Sequence, residues 1–208
     1  MDQSAKFWDK IAEKYSRQPI ADEEAYQKKL QITQEYFQPD MEVLEFGCGT
    51  GSTAIIYAPY VKNIHAVDIS PNMIEIGRNK ADNAGIKNIT FEVATCDGLN
   101  VPDESFDVIL GMSILHLLED KEAMIARVYR MLKPRGLFIS STVCMSGMMA
   151  LLKPVIPIMR LFGQAPETVK FFSAKELVKS LTDAGFEINY QWQPGKNKAV
   201  FIVAKKSA

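Results

Sequence analysis

Val43-Leu44-Glu45-Phe46-Gly47-Cys48-Gly49-Thr50-Gly51 is an apolar run that ends in glycines at three alternate positions. Such a run, from Met41 to Phe46, reads as a strand; the glycines read as a tight turn, and a helix follows to about Ala58, where Pro59 ends it. A glycine-rich bend at the mouth of a helix lets the backbone approach a ligand with no Cβ in the way. An ordinary strand-to-helix connection has the same composition, so the residues around the turn must decide.

Outward from the turn, Ile64 to Asp68 forms a second strand, and Asp68 closes it 21 residues after Gly47. In a parallel sheet that carboxylate stands beside the glycine turn, able to accept both hydroxyl protons of a ribose. The spacing indicates an adenosine-like ligand. Dinucleotide enzymes carry G-x-G-x-x-G, whereas this chain has G-x-G-x-G preceded by Glu45. A negative charge there repels a pyrophosphate and suits an ammonium or sulfonium. Asp97, just past a third strand (Ile89 to Ala94), is a third acid at the same sheet edge, placed to accept from an exocyclic adenine amine.

The rest of the chain alternates strands and helices, the pattern of a parallel sheet covered by helices on both faces. Residues 4–15 and 21–37 read as helices, with Phe7, Trp8, Ile11 and Tyr15 on one apolar face. Ser70 and Pro71 open a helix that stops at Ala84-Gly85. A fourth strand spans Phe106 to Gly111, a helix about Asp120 to Leu132, and a fifth strand Leu137 to Val143 after the turn Lys133-Pro134-Arg135-Gly136. Ser173-Ala174-Lys175-Glu176 is a capping box for a helix ending at Gly185. Phe186 to Trp192 and Ala199 to Ala204 then flank Gln193-Pro194-Gly195-Lys196-Asn197, a connection so short that it makes an antiparallel pair.

Composition sets the outer bounds. The chain has 208 residues, 47% apolar and 24% charged, with 24 basic against 25 acidic residues. This describes one domain, 1–208, and the near-neutral balance argues against nucleic acid as partner. Cys48, Cys96 and Cys144 lie too far apart for a zinc site and too sparsely for a secreted disulfide scaffold, which fits a reduced, cytoplasmic setting without a metal. The start Met1-Asp2-Gln3 feeds no apolar leader, and no stretch is long and apolar enough to span a membrane.

Four motifs together resemble the class I S-adenosylmethionine-dependent methyltransferases, in particular the small-molecule ubiquinone and menaquinone type. They are residues 43–51, Val67-Asp68-Ile69-Ser70-Pro71-Asn72-Met73, Pro102-Asp103-Glu104-Ser105-Phe106-Asp107 and Arg130-Met131-Leu132-Lys133-Pro134-Arg135-Gly136-Leu137. The resemblance implies a Rossmann-like α/β fold with sheet order 3-2-1-4-5-7-6 and strand seven antiparallel. It further implies methyl transfer to a small-molecule acceptor. Carried over by position, it places Glu45 near the methionine ammonium, Gly47, Cys48 and Gly49 under the methionine and sugar, and Asp68 on the ribose. Ile69 and Met73 would lie against the adenine, Cys96, Asp97 and Gly98 at its edge, and Met112 and Tyr15 also at the cofactor. The stretch from Asp97 to Pro102 is shorter than the family's pattern.

Methyl transfer from a sulfonium needs alignment and exclusion of water, with no protein nucleophile or metal. Where the acceptor must lose a proton, His116, just after strand four, is the candidate base; a packing role is its other reading. Tyr15 closes a segment resembling the family's N-terminal lid (1–38), where it either reaches cofactor or acceptor or simply packs with Trp8. Residues 144–172, with Met145, Met148, Met149 and Met159, form a substrate-side insertion. It reads either as a deformable apolar wall for a hydrophobic acceptor or membrane surface, flanked by Lys153 and Arg160, or as an inward-packed lid or dimer contact. The rival functions are a protein that binds the cofactor without turnover and a nicotinamide-dependent oxidoreductase.

Overall fold

The computed structural model describes residues 3–144, 154–161, 165–195 and 198–208. Seven strands form one sheet in the order β3-β2-β1-β4-β5-β7-β6. They are β1 (Glu42–Phe46), β2 (Asn63–Asp68), β3 (Ile89–Val93), β4 (Phe106–Met112), β5 (Leu132–Thr142), β6 (Phe186–Trp192) and β7 (Val200–Lys206). β7 runs antiparallel to both β5 and β6, and the other neighbours are parallel. The expected order and the reversed seventh strand are both present.

Seven helices, α1 (Gln3–Ser16), α2 (Glu23–Gln34), α3 (Ser52–Tyr57), α4 (Pro71–Asn83), α5 (Lys121–Met131), α6 (Val155–Leu161) and α7 (Ala174–Asp183), complete the described part. Alternation along the strands sends successive side chains to opposite faces. Leu44, Phe46, Ile109 and Phe138 pack with Ile125 and Val128 of α5 and Leu177 and Leu181 of α7. Val43, Leu110, Ile139 and Phe201 pack on the other face with Leu30 of α2, Tyr57 of α3 and Ile74 of α4. The central strands are buried on both sides, which is why they read as continuous apolar runs.

Local signals act as the sequence predicts. The Ser70 hydroxyl accepts from Met73 N at the start of α4, Asp120 caps α5, and the Ser173–Glu176 capping box is complete. Gly85 and Gly185 follow α4 and α7 in the left-handed region.

Three expectations need correction. Lys133-Pro134-Arg135-Gly136 is no turn before a strand; it lies inside β5, where the register against β4 slips between Phe106/Leu132 and Val108/Leu137 and Arg135 takes φ 66°. Lys206 Nζ donates to Leu132 O at 2.7 Å and helps hold this irregular edge, a long-range contact that local composition does not reveal. Pro59 does not end the helical stretch but sits inside a single 3-10 turn, Ala58–Tyr60, that prolongs it. The second helix is shorter than 21–37: Asp22 caps it before Glu23, and it ends at Gln34. Met145, Met148, Met149, Lys153, Lys196 and Asn197 lie outside the described residues.

Between β1 and β4 the sheet order reverses, and at such a point the carboxyl ends of the two strands open a crevice.

Candidate functional site

The crevice is a cleft of about 440 Å³. Its floor begins at the glycine turn, which two hydrogen bonds tie to the end of β2. Cys48 N donates to Val67 O at 3.0 Å, and Gly49 N donates to Asp68 Oδ2 at 2.9 Å. Asp68 Oδ1 accepts from Ser70 N at 3.0 Å, so one carboxylate braces both the glycine turn and the start of α4. Burial pushes the Asp68 carboxyl above its usual range, while the N–H groups of Ser70, Gly49 and Ile69 draw it back.

Gly49 takes φ +53°, and a Cβ built there would point into the cleft, with only the Tyr15 ring within 4 Å, at 3.7 Å. Tyr15 thus stands over the glycine turn. It reaches that place because α1 is latched to α4. Asp9 Oδ1 accepts from Ser70 Oγ at 2.5 Å and from Asn72 N at 3.0 Å, and Asn72 Nδ2 donates back to Asp9 O at 3.2 Å. An aspartate at the first turn of α4 also faces the positive end of that helix. Trp8 meets Tyr15 edge to face, with ring centroids 6.3 Å apart. Crowding, then the nearby Asp68 and Glu45 carboxyls, raise the Tyr15 hydroxyl above its ordinary pKa. It stays protonated at neutral pH, with a proton to donate.

Of the residues singled out in the sequence, Tyr15, Gly47, Gly49, Asp68, Ile69, Met73, Cys96, Asp97 and Met112 line the cleft together. Glu45, Cys48, Gly98 and His116 do not. Glu45 lies beneath the floor, 2% exposed, and its Oε2 has no hydrogen-bond partner among the described residues. Burial pushes its carboxyl from 4.5 to about 8; Ala54 N–H opposes the rise and the Asp68 charge adds to it. Glu45 is therefore neutral in this fold at pH 7, not the standing negative charge that its side chain suggests in sequence. A positive charge close to it would lower that pKa again.

A group whose folded pKa is raised keeps a proton that the unfolded chain has released. Between pH 4.5 and about 8 the folded chain binds more protons at Glu45, so its stability falls as pH rises through that window. Glu45→Gln removes this loss. Thermal unfolding should show the variant gaining on the wild type steadily across the window, and parallel pH curves would contradict the assignment.

Gly98 belongs to the turn Cys96–Gly98, where its N–H is held by the Thr95 hydroxyl at 3.1 Å. His116 sits in the 3-10 turn Leu115–Leu117, where its carbonyl accepts from Lys170 N at 2.8 Å. Its Nδ1 is buried with no partner among the described residues, and burial lowers its pKa, so the ring is neutral at pH 7. The Cys48 and Cys96 thiols are pushed up by burial, Cys96 to about 12, and are not thiolates.

Sequence reasoning missed several lining residues. Trp8 and Ser4 come from α1, Leu117 and Leu118 from the turn after β4, Met124 from α5, and Pro166, Glu167 and Thr168 from the stretch before α7. Ser113 also lines the cleft; it holds φ 57° and donates its N–H to Ser141 O at 2.7 Å. A non-glycine residue at positive φ is uncommon and marks constrained backbone, yet a serine carries no sign of it in sequence. The Pro166–Thr168 wall is held by the Thr168 hydroxyl on the Glu119 carboxylate, which also pairs with Lys170 at 2.7 Å.

Four carboxylates line the cleft, from Asp68, Asp97, Glu119 and Glu167, and among the described lining residues there is no lysine, arginine or histidine. Among the described residues no group of three or more ligating side chains could hold a metal, and no helix is long and apolar enough to cross a membrane.

Comparison with known proteins gives a family model described as a methyltransferase domain, which matches residues 37–199. An uncharacterized methyltransferase, YcgJ of Bacillus subtilis, is 35% identical over 97 residues, covering 47% of this chain and 38% of its own length. A demethylmenaquinone methyltransferase of Symbiobacterium thermophilum is 30% identical over 143 residues, covering 64% of this chain and 56% of its own. The chain thus spans about half or less of the length of these curated relatives. The crystal structure of Bacillus subtilis YcgJ superposes with a TM-score of 0.72 at 20% identity, covering 88% of this chain and 99% of that one. A SAM-dependent methyltransferase of Thermotoga maritima gives 0.70 at 24% identity, covering 97% and 99%. At these identities the structural likeness speaks for the fold.

Proposed function

The chain belongs to the methyltransferase-domain family, and we propose that it is an S-adenosylmethionine-dependent methyltransferase whose acceptor is a small, apolar molecule. The observation that carries this reading is the cleft wall, which holds four carboxylates and, among the described lining residues, no basic one, set on a glycine turn at the sheet's reversal point. A cationic nucleoside suits that wall; the pyrophosphate of a nicotinamide cofactor does not. Two further features fit the cofactor. The Gly49 position leaves space that a Cβ would fill, and Glu45 offers a buried oxygen with no partner.

When bound, S-adenosylmethionine supplies a methyl group on a positively charged sulfur. The chain's own part is to bind, align and keep water out. Asp68 is fixed by backbone N–H groups, Gly49 N on Oδ2 and Ser70 N on Oδ1 with Ile69 N–H nearby, and its two oxygens keep lone pairs for the ribose hydroxyls. Asp97 offers an acceptor to the adenine amine, with Ile69 and Met73 at its face and Cys96 at its edge. Gly47, Cys48 and Gly98 contribute backbone, and Met112 the strand end. Glu45 supplies countercharge from below. Tyr15, a protonated hydroxyl over the glycine turn, donates to an anionic oxygen of cofactor or acceptor.

Trp8, Ile114, Leu117, Leu118 and Pro166 give the remaining wall an apolar character. Exposed Val155 and Met159 on α6 support an apolar acceptor or contact with a membrane surface, as does kinship with a relative named for demethylmenaquinone. The three cysteines are buried and free, which supports a reducing, cytoplasmic setting. In this reading the chain is one domain, with 1–38 as lid and 144–172 on the acceptor side.

His116 is the base of this proposal where the acceptor must lose a proton: it does not itself line the cleft, but it sits in the turn whose Leu117 does, and its buried Nδ1, without a partner among the described residues, is neutral and able to take a proton. His116→Gln should lower turnover by about tenfold or more and leave cofactor affinity unchanged. An unaffected rate removes it from the mechanism.

The reading is tested by incubating the protein and S-adenosylmethionine with a panel of amines, phenols and quinols and following S-adenosylhomocysteine. Product formation with an apolar acceptor is expected. Tight cofactor binding with no product across the panel would favour a binding protein instead.

A further inference from the structure

We propose that Arg127 is a positioning residue for nucleobase recognition, holding from α5 the backbone turn that presents Asp97 to the cleft; this rests on the cofactor reading above. The turn Cys96–Gly98 is a single 3-10 turn followed by Leu99. Arg127 Nε donates to Cys96 O at 3.0 Å, and Arg127 Nη2 donates to Leu99 O. The two carbonyls flank Asp97 in sequence, so the guanidinium spans the segment that carries the carboxylate.

From within, the turn is braced only by its own neighbours among the described residues. Gly98 N donates to both the carbonyl and the hydroxyl of Thr95, each at 3.1 Å, and Leu99 N reaches Cys96 O at 3.4 Å; none of these bonds ties the turn to another element. Asp97 itself is exposed on the cleft side. An exposed carboxylate on a short turn discriminates between bases only if the turn cannot drift, since a misplacement of about 1 Å costs a hydrogen bond most of its worth.

The rigid fork of a guanidinium is suited to bridging two carbonyls, where a lysine ammonium is a point charge on a flexible stem. Among the described residues Arg127 makes no ion pair, so its donors serve this backbone. Met124 lies one helical turn earlier on α5 and lines the cleft. One helix therefore supplies both a wall of the nucleobase slot and the clamp on its polar edge, and the two are set together. No motif in the sequence points to Arg127.

The test uses S-adenosylhomocysteine and its inosine analogue, which carries an oxo group in place of the adenine amine. Calorimetry on the whole chain should show the wild type preferring the adenine form by about tenfold or more, the worth of one hydrogen bond to a charged acceptor. Asp97→Ala should abolish that preference. Arg127→Met should bring it to within about threefold of unity while the protein stays folded, and Arg127→Lys should fall between.

A purely structural role would weaken both ligands equally, so a folded Arg127→Met variant with the wild-type preference overturns the proposal, whatever its absolute affinity. Should that variant not fold, a wild-type preference in Arg127→Lys overturns it. A wild-type chain that binds neither ligand would remove the cofactor reading itself, and this inference with it.

Discussion

Gly49→Val should abolish binding of S-adenosylhomocysteine, lowering affinity by about 100-fold or more, while the protein remains folded. Two effects act together. The backbone at Gly49 has φ +53°, which a β-branched residue adopts only with strain of about 1–3 kcal/mol. The new side chain would also occupy the cleft, because nothing but the Tyr15 ring, at 3.7 Å, stands within reach of its Cβ. The contrast with Gly51 makes the point specific. There φ is +69° and a Cβ would lie 2.6 Å from the Phe91 ring, in the packing behind the turn. Substitution at 51 should act on stability; substitution at 49 should act on the ligand. Circular dichroism and calorimetry on the Gly49→Val protein separate the two, and tight binding by a folded variant would show that the turn is not the site.

Asp68→Ala should weaken cofactor binding by about 1–3 kcal/mol through loss of charge-assisted contacts to the ribose. Its structural cost arises because the carboxylate holds Gly49 N and Ser70 N, both of which lose their acceptor. Asp68→Asn separates these roles. The amide retains one acceptor oxygen for the backbone and offers an N–H where a ribose hydroxyl proton would point. Affinity should therefore fall in both variants, with the larger loss of thermal stability in the alanine one. Affinity unchanged in both would remove Asp68 from the ribose.

The part of this site that is legible in sequence is the part built by local rules. The glycines at 47, 49 and 51 all occupy positive φ, which is why a run of alternating glycines after a strand is so specific a sign. Ser70, Pro71 and Asp120 mark helix starts by capping chemistry, and Asp68 falls at the end of β2 because the apolar run stops there. The sheet order was implied by family resemblance and by the short terminal hairpin.

What was not legible depends on contacts between distant segments. Trp8 lines the cleft only because Asp9 latches α1 to Ser70 and Asn72, some sixty residues away. Thr168 reaches the wall through Glu119. The stretch from Lys133 to Gly136 looks like a turn, yet it lies within β5, as an irregularity between the pairings of Leu132 and Leu137 with β4. Glu45 stands beside the glycine turn by sequence alone, but its ionisation follows from burial, which no residue type announces.

The most direct test of the central claim is a crystal structure of the chain with S-adenosylhomocysteine. The account predicts density along the glycine turn, with the ribose hydroxyls on Asp68, the adenine between Met73 and the Cys96–Gly98 turn, and the sulfur opening toward Met112 and Ser113. Ligand density elsewhere, or a dinucleotide pyrophosphate seated on residues 47–51, would contradict it.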